Sequence, residues 1–313
     1  MTTNTKPRKS IWKTLSIAAT FALVAGCTVD ESKLNSPDSD KKSDDEIQKQ
    51  EVNEELRNQL PDEILEAGSI TSVNTGSFPP YTIVDGENKV TGASADLAEA
   101  MGQMLDVKIN HKTIDGLASV LTGMEAGRYD LSIGPTGDFP KRQEQATFID
   151  WVQEYVVFAV QKGNPSDIDG LDTACGAKIA VQAGGSAEAV IKEQASKCES
   201  DGKEKVEVQS YKDQPSAILS VQSGRADAFF SSRAPLTYFV NESGGKLELV
   251  GTESQNGFDD LFQGIMVPKD SELTDVILEC LEELHENGTY DAIMDKWDLD
   301  ANKLDTPGIN LAK

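Results

Sequence analysis

The sequence has little of what most enzymes and nucleic-acid-binding proteins depend on. Its 313 residues include two histidines, His111 and His285, which lie far apart, and no HExxH, paired CxxC or G-x-S-x-G motif. We therefore expect no catalytic residues, no metal and no cofactor. Acidic residues outnumber basic ones by 53 to 29, for a formal net charge of −24. This charge argues against nucleic acid as a partner; solubility alone, or steering of cationic ligands, would account for it.

The sequence also lacks an apolar run of the ~20 residues that a membrane-spanning helix needs. A shorter run, over residues 15–24, follows a basic start and ends in Leu23-Val24-Ala25-Gly26-Cys27. These three parts in this order predict a signal peptide over residues 1–26, cut before a Cys27 that carries a diacylglycerol. The alternative is an ordinary signal peptide with an incidental cysteine. We expect the lipid to hold the protein on the extracytoplasmic face of a bacterial cell membrane, with no other membrane contact.

Three cysteines follow Cys27. An exported chain lies in an oxidising compartment, so pairing is expected. Cys175 and Cys198 have polar, loop-like surroundings, whereas Cys280 lies among the apolar residues of a predicted helix. We expect a Cys175–Cys198 disulfide, which would contribute about 3 kcal/mol, and a buried thiol at Cys280.

Composition divides the mature chain into a tether and a two-lobed α/β region. Residues 27–59 are acidic and polar and predict a flexible tether, whose end could be helical because Val52, Leu56 and Leu60 recur at helical spacing. From residue 60 onward, strands and helices alternate in two series. Two apolar runs flank the second series and predict two strands that cross between the lobes. We place lobe 1 at residues 60–160 and 259–313, the latter with the C-terminal helices, and lobe 2 at residues 161–258.

The periodicity locates most of the elements. Strands are predicted at residues 70–73, 107–109, 130–133, 155–160, 178–181, 206–208, 226–230 and 262–267. Helices are predicted at residues 97–105, 117–124, 187–194, 216–222, 273–285 and 293–297. Ligands of open α/β sheets gather at the carboxyl ends of strands, so we expect a site in the cleft between the lobes.

Three short segments near strand ends could bind a ligand there. Arg142 offers a fork that suits a carboxylate, although a single arginine is usually a surface charge. Phe78-Pro79-Pro80-Tyr81 could wall an apolar pocket or be ordinary packing. Gly184-Gly185-Ser186 opens a helix whose free amides could accept an anion, or it is a simple tight turn.

Together these pieces resemble one family in the right order along the chain. Eight or more short matches carry the resemblance, among them Phe78-Pro79-Pro80-Tyr81, Gly127-Arg128-Tyr129-Asp130, Pro140-Lys141-Arg142, Ser223-Gly224-Arg225-Ala226-Asp227 and Gly288-Thr289-Tyr290. Over roughly residues 60–310 the sequence is similar to the family 3 extracellular solute-binding proteins of ABC transporters. The resemblance implies a two-lobed periplasmic-binding-protein-like fold (type II) with two crossing hinge strands. It also supports the Cys175–Cys198 pairing.

The resemblance implies a ligand set as well. Arg142 would clamp the carboxylate of an amino acid, Phe78 and Tyr81 would stack on the ligand, and Ile114 would touch its side chain. The remaining ligand-binding residues implied by the family are Gly134, Thr136, Gly137, Gly185, Ser186 and Ser232. The partner would be an ABC permease, and we expect a monomer.

Three places depart from the family pattern. One, Gly92-Ala93-Ser94-Ala95-Asp96, lacks the usual aromatic residue and first aspartate and concerns mostly packing, whereas the other two concern the ligand. Ser232 replaces the usual aspartate that pairs with a ligand ammonium, so either Glu154, Asp259 or Asp260 supplies the charge or the ligand is not an ordinary α-amino acid. Gly137 replaces a hydroxyl residue, for which Thr136 could substitute. Two other functions stay open: an enzyme of the same fold similar to cyclohexadienyl dehydratase, with Glu154 as general acid, or a sensory module that presents ligand to a receptor.

Overall fold

The computed structural model describes Met1, residues 47–87 and residues 89–313. The rest of the predicted signal peptide, Cys27 with its predicted lipid, and the predicted tether as far as residue 46 lie outside the described residues. Within the part of the chain that the structure describes, no helix is both long enough and apolar enough to cross a membrane.

Helices and strands alternate along the described chain, and we number both in chain order. The helices are α1 Glu54–Arg57, α2 Asp62–Ala67, α3 Ala93–Met104, α4 Leu117–Glu125, α5 Pro140–Gln143, α6 Ser186–Ser200, α7 Gln214–Gln222, α8 Arg233–Glu242, α9 Leu273–Glu286 and α10 Thr289–Lys296. The strands are β1 Ser69–Asn74, β2 Ile83–Val84, β3 Val90–Thr91, β4 Lys108–Thr113, β5 Ser132–Gly137, β6 Ala146–Glu154, β7 Val156–Gln161, β8 Lys178–Gln182, β9 Glu207–Tyr211, β10 Ala228–Ser232, β11 Leu247–Val250, β12 Leu261–Pro268 and β13 Lys303–Ile309.

Lobe 1 is built on two sheets that meet near the start of β5. The first pairs β1 with β4 in parallel, and the second has the order β13-β6-β12-β5. A parallel bridge between Ser72 and Leu131 joins them. The buried face of α9 covers the sheet, with apolar residues at the three- and four-residue spacing of an amphipathic helix.

Lobe 2 is built on a five-stranded sheet with the order β11-β7-β10-β8-β9. Its three central strands, β7, β10 and β8, are buried on both faces, and helices pack on both. In β7, Phe158 and Val160 belong to one buried cluster, whereas Val157 and Ala159 belong to the other. This two-sided burial explains why the crossing run at residues 155–160 is continuously apolar.

The chain crosses between the lobes twice, as the apolar runs predict. Lobe 1 strand β6 ends at Glu154, and lobe 2 strand β7 starts at Val156, so Tyr155 is the first crossing point. The chain returns between β11 and β12, and Leu261 at the start of β12 still packs in a lobe 2 cluster. Strand β7 therefore belongs to the sheet of lobe 2, although the predicted boundary put it at the end of lobe 1.

Residues 47–60, here called the N-terminal segment, pack on lobe 1, although most were assigned to the tether. The buried Gln50 donates to Thr289 Oγ1 at 3.0 Å, and Asn53 donates to Glu283 Oε2 at 2.6 Å. Leu56 and Leu60 are buried as their spacing suggests, whereas Val52 is 45% exposed. The helix there is the single turn α1. Long-range hydrogen bonds and two buried apolar side chains thus fix the N-terminal segment on lobe 1, although its polar composition predicts a flexible tether.

The predicted disulfide is confirmed. Cys175 and Cys198 are joined, and Cys280 is a buried free thiol in α9. The surroundings of Cys198 differ from the expectation, because α6 runs on to Ser200 and buries Cys198 fully. The bond therefore ties the last turn of α6 to the segment before β8.

Candidate functional site

A cleft of about 110 Å³ lies at strand ends of both lobes. Asn74 ends β1 and Gly137 ends β5 in lobe 1, while Gln182 ends β8 and Ser232 ends β10 in lobe 2, and all four line the cleft. One water needs roughly 10–15 Å³ by the same measure, so there is room for a small molecule. The two series of strands and helices thus produce a site where their carboxyl edges face each other.

Most of the predicted ligand-binding residues meet in this cleft. Those that line it are Phe78, Gly134, Thr136, Gly137, Arg142, Gly185, Ser186 and Ser232. Tyr81 and Ile114 are outside the lining. Apolar contact surface comes from other residues as well: Leu117, Val120, Val156, Ala183, Ala187 and Met266.

Arg142 is the charged side chain of the lining. Its Nη1 donates to the Gly137 carbonyl at 2.8 Å, and its Nη2 donates to the Gly184 carbonyl of lobe 2 at 3.2 Å. Partial burial lowers the pKa of Arg142 to about 10, and the nearby Asp138 opposes this shift. The group stays protonated at neutral pH, so the cleft holds a full positive charge.

The loop before Arg142 fixes the direction of its side chain. Pro140 opens the single turn α5, so Arg142 follows β5 by one helical turn. The guanidinium lies over the ring of Phe139, 5.0 Å from the centroid. Gly137 leaves space for both, because a methyl group there would come within 2.5 Å of the Phe139 ring and 3.2 Å of Arg142 Nη1. A hydroxyl residue at position 137 would require the Phe139 ring to move.

Lobe 2 presents neutral polar groups to the cleft. Gln214 Nε2 donates to Gln182 Oε1 at 2.8 Å and lies 2.9 Å from Ser231 Oγ. Ser232 Oγ accepts from Gln263 Nε2 of lobe 1 at 3.4 Å. Lobe 2 thus offers hydroxyls and amides to a ligand, and the Ser232–Gln263 contact spans the two lobes.

Two amide groups of the lining keep a buried polar atom without a hydrogen-bond partner. Asn74 Oδ1 accepts from the Gly76 amide and from Thr113 Oγ1, which leaves Nδ2 unpaired. Gln263 is 4% exposed, and its Oε1 is unpaired. Buried polar atoms are nearly always hydrogen-bonded in folded proteins, so these two are candidates for contact with a ligand.

Helix starts add positive potential to the same cleft. α4 begins at Leu117 and α6 at Ser186, and Ser232 is the N-cap of α8. All three residues line the cleft. The first backbone N–H groups of a helix lack intrahelical acceptors and carry a partial positive charge. The cleft is therefore electrostatically suited to an anion.

Tyr81 lies behind the lining rather than in it. It is fully buried, stacks on Phe78 with ring centroids 5.9 Å apart, and donates its hydroxyl to Glu154 Oε1 at 2.6 Å. Phe78 is thus the aromatic residue that faces the cleft, and Tyr81 supports it. Ile114 packs at the edge of a lobe 1 cluster with Val120 and Met124.

The three acids considered as partners for an ammonium all lie outside the lining. Glu154 is 2% exposed and accepts from Tyr81 and from the Tyr155 backbone amide. Burial raises the pKa of Glu154 to about 7, and the hydrogen bond from Tyr81 opposes the shift. Asp260 accepts from Gln153 Nε2 at 3.0 Å, and Asp259 is exposed.

Sequence reasoning missed the amide side chains of the cleft: Asn74, Gln182, Gln214 and Gln263. Asn74 and Gln182 end strands that were predicted, so the strand-end rule could have found them. Gln263 lies in an otherwise apolar run, residues 262–267. A shift of register between Gln263 and Gly264, against β6, marks a bulge there, and a bulge re-aims side chains in a way that alternation does not predict.

Two α/β lobes, joined by two crossings and facing one cleft, define the two-lobed class of extracellular ligand-binding proteins. Residues 70–300 match the model of the bacterial extracellular solute-binding proteins, family 3, and the chain belongs to this family.

Named relatives agree with the family. The chain is 26% identical over 309 residues to the arginine-binding protein ArgT of Corynebacterium glutamicum, covering 97% of this chain and 96% of that protein. It is 25% identical to the putative ABC transporter arginine-binding protein 2 of Escherichia coli, over 74% of this chain and 91% of that protein. Among solved structures, an ancestral arginine-binding protein bound to glutamine matches with a TM-score of 0.66 and 30% identity, over 74% of this chain and 99% of that chain.

Proposed function

We propose that this protein captures a small carboxylate, an amino acid or a related acid, between its lobes and delivers it to the permease of an ABC importer. The observation that carries the proposal is Arg142, a cationic fork in the cleft whose two ends lie against backbone carbonyls of both lobes. Names of similar proteins support the transport context, since they include arginine-binding and ABC transporter proteins.

Capture proceeds in two steps in this proposal. The carboxylate first pairs with Arg142 on lobe 1, beside the ring of Phe78. Lobe 2 then closes about Tyr155, and the start of α6 at Ser186 meets the same anion from the other side. Closure is stabilised by contacts that exist only when the lobes meet, such as the hydrogen bond between Ser232 and Gln263.

We also propose that Cys27 carries a lipid anchor. The signal-like start of the sequence supports this. With the parent chain expressed in its host, labelled palmitate should appear in the membrane-associated protein. The Cys27→Ala variant should lose the label and leave the membrane fraction, and an unlabelled parent protein would contradict the anchor.

The enzyme alternative needs an acid that faces the ligand. Glu154 was its candidate, and the hydrogen bond to Tyr81 holds this carboxyl behind the lining. A sensory module would use the same cleft and would present the ligand to a receptor instead of a permease. A permease and an ATPase encoded beside this gene would favour transport.

The carboxylate clamp can be tested by direct binding. A thermal-shift screen over amino acids, opines and simple carboxylates identifies a ligand, because a tight ligand raises the melting temperature. Calorimetry with that ligand should then show about a 100-fold weaker affinity for Arg142→Ala, equivalent to about 2.7 kcal/mol. The control Arg225→Ala changes an exposed arginine outside the cleft lining and should bind as the parent does. Equal affinity of Arg142→Ala and the parent would disprove the clamp.

A further inference from the structure

We propose that the ligand is a monocarboxylate without a free ammonium group, whose other polar groups are hydroxyls or amides. The inference rests on the proposed function, since it assumes that Arg142 binds the ligand carboxylate. It goes further by assigning a chemical class to the rest of the molecule.

The first argument is the charge of the cleft. Among its lining residues Arg142 carries a positive charge and no residue carries a negative one. Two carboxylates that are next to lining residues in the sequence, Asp138 and Glu188, are engaged elsewhere. Asp138 accepts from Gln143 and from the Ala312 backbone amide, and Glu188 accepts from the Gly184 amide and pairs with Lys192.

The second argument is the charge balance in the occupied cleft. A monoanion and Arg142 sum to zero. An amino acid with a neutral side chain leaves one positive charge unbalanced, and one with a cationic side chain leaves two. An acidic amino acid balances Arg142 in total but still brings an ammonium for which the lining offers no carboxylate. A buried charge without a partner costs several kcal/mol. The helix starts at Leu117, Ser186 and Ser232 add partial positive charge, so the imbalance of an ammonium ligand would be larger still.

The third argument is the chemistry of the buried polar atoms in the lining that have no hydrogen-bond partner. The unpaired atom of Asn74 is Nδ2, because a backbone amide and a hydroxyl already donate to Oδ1. Asn74 Nδ2 is a hydrogen-bond donor, so it cannot pair with an ammonium, which also only donates. The Ser232 hydroxyl can donate or accept, so it can pair with either Nε2 or Oε1 of Gln263. Whichever way the Gln263 amide is turned, its other polar atom has no partner. Neutral hydroxyls and amides satisfy both residues without adding charge.

Together these observations favour a 2-hydroxy acid or an N-acylated amino acid. In either one the carboxylate occupies Arg142, and a neutral hydroxyl or amide takes the place that an ammonium would have beside Ser232. Apolar residues, among them Phe78 and Met266, are left for the remainder of the molecule.

Calorimetry on matched sets of compounds tests the inference. Each set shares one side chain, that of leucine, phenylalanine, glutamine or arginine, and contains the L-amino acid, its 2-hydroxy analogue and its N-acetyl derivative. In the set that binds best, we expect the hydroxy or acetyl member to bind at least tenfold more tightly than the amino acid. The inference is overturned if the amino acid is the tightest member or lies within tenfold of it.

A substitution in the cleft tests the charge argument separately. Ser232→Asp places a carboxylate in the lining and should shift the ratio of affinities toward the amino acid by at least tenfold. Ser232→Asn has the same shape without the charge and should leave the preference for the neutral analogues in place. An unchanged ratio in Ser232→Asp, with the variant folded by circular dichroism, overturns the inference.

Failure of the inference and failure of the proposed function give different results. If amino acids bind best and Arg142→Ala weakens them, the proposed function stands and only the amine-free class is wrong. If no compound of any set binds, or if binding does not depend on Arg142, the proposed function is wrong and the inference falls with it.

Discussion

Arg142 Nη2 of lobe 1 donates to the carbonyl oxygen of Gly184 in lobe 2 across a distance of 3.2 Å. The other end of the same fork donates to Gly137 in its own loop. Both acceptors are neutral carbonyls, which a carboxylate outcompetes because charge-assisted hydrogen bonds are roughly twice as strong. The contact therefore holds the guanidinium at the boundary between the lobes and yields to an anion that arrives there.

Gly137→Ala should displace this fork without unfolding the protein. The added methyl group would meet the Phe139 ring at 2.5 Å and Arg142 Nη1 at 3.2 Å. We expect ligand affinity to fall by about tenfold or more, since bidentate binding depends on the position of the fork. The control Gly86→Ala adds a methyl group where no atom lies within 4 Å. Calorimetry that finds parental affinity in Gly137→Ala would show that the loop repacks and that Gly137 is not needed.

Two variants should distinguish a residue that stabilises the fold behind the cleft from one that contacts the ligand: Tyr81→Phe and Phe78→Ala. Removing the Tyr81 hydroxyl leaves the buried Glu154 without its 2.6 Å donor, which should lower the free energy of unfolding by about 1–3 kcal/mol. Ligand affinity should change less than threefold, because Tyr81 lies outside the lining. Phe78→Ala removes a lining ring and should weaken binding by about tenfold. Urea unfolding and calorimetry measure the two effects, and an equal loss of affinity in both variants would place Tyr81 in contact with the ligand.

Glu154→Gln should change how stability depends on pH. Burial raises the pKa of Glu154 from near 4.5 to about 7, so the folded state holds this proton more tightly than the unfolded state does. The stabilisation is therefore complete below pH 4.5 and is lost as the pH rises to about 7, by on the order of 3 kcal/mol. Glutamine cannot ionise and removes this loss, so the variant should gain stability relative to the parent as the pH rises.

Urea unfolding at pH 5, 6, 7 and 8 measures that difference. Burial also raises the pKa of Asp150, to about 8. Its contribution to the free energy of unfolding therefore also decreases as the pH rises, but it does so equally in the parent and in Glu154→Gln and cancels in the difference. The control is Glu248→Gln, which removes a partly exposed acid paired with Lys162 at 2.6 Å. The pKa of Glu248 is lowered by that pairing, so the effect of its removal should be constant above pH 5. A constant difference for Glu154→Gln as well would mean that Glu154 is ionised in the folded protein throughout this range.

The disulfide should stabilise lobe 2 by closing a loop. The bond spans 23 residues of sequence, for which loop closure predicts about 3 kcal/mol. A protein with both Cys175→Ser and Cys198→Ser should lose about that much in urea unfolding. Dithiothreitol should destabilise the parent by a similar amount and leave the double variant unchanged. Parent and double variant with the same midpoint would show that the bond contributes no net stability.

The sequence predicts the fold well where one physical signal dominates. The stripe of Val276, Ile277, Cys280 and Leu284 has the spacing of a helix with one buried face, and α9 has nearly the predicted bounds. By contrast β6 was missed. It is buried on both faces and includes Asp150 and Glu154 among its buried residues, so it shows neither alternation nor an apolar run. Its position in the middle of a sheet, between β12 and β13, is a property of the whole lobe.

The sequence predicts which segments of the chain form the cleft, but not which of their side chains face it. Phe78 and Tyr81 stand three residues apart in one turn, and only the packing around Glu154 decides that Phe78 faces the cleft. Gln263 turns into the cleft at a bulge whose neighbour must be glycine, because a methyl group at Gly264 would come within 2.6 Å of the Ile149 carbonyl. Such contacts join distant parts of the chain, and local patterns do not contain them.

Lobe 2 is inserted into lobe 1, with both of its connections at the crossings. The two lobes also contribute different chemistry, since Arg142 comes from lobe 1, whereas Ser232, Gln214 and the start of α6 come from lobe 2. An insertion of this kind can be exchanged between related proteins as a cassette. Grafting another lobe 2 between residues 155 and 261 would retain the arginine and replace much of the selectivity for the rest of the ligand. Evolution within such a family could therefore change the cargo while the anion clamp is inherited unchanged.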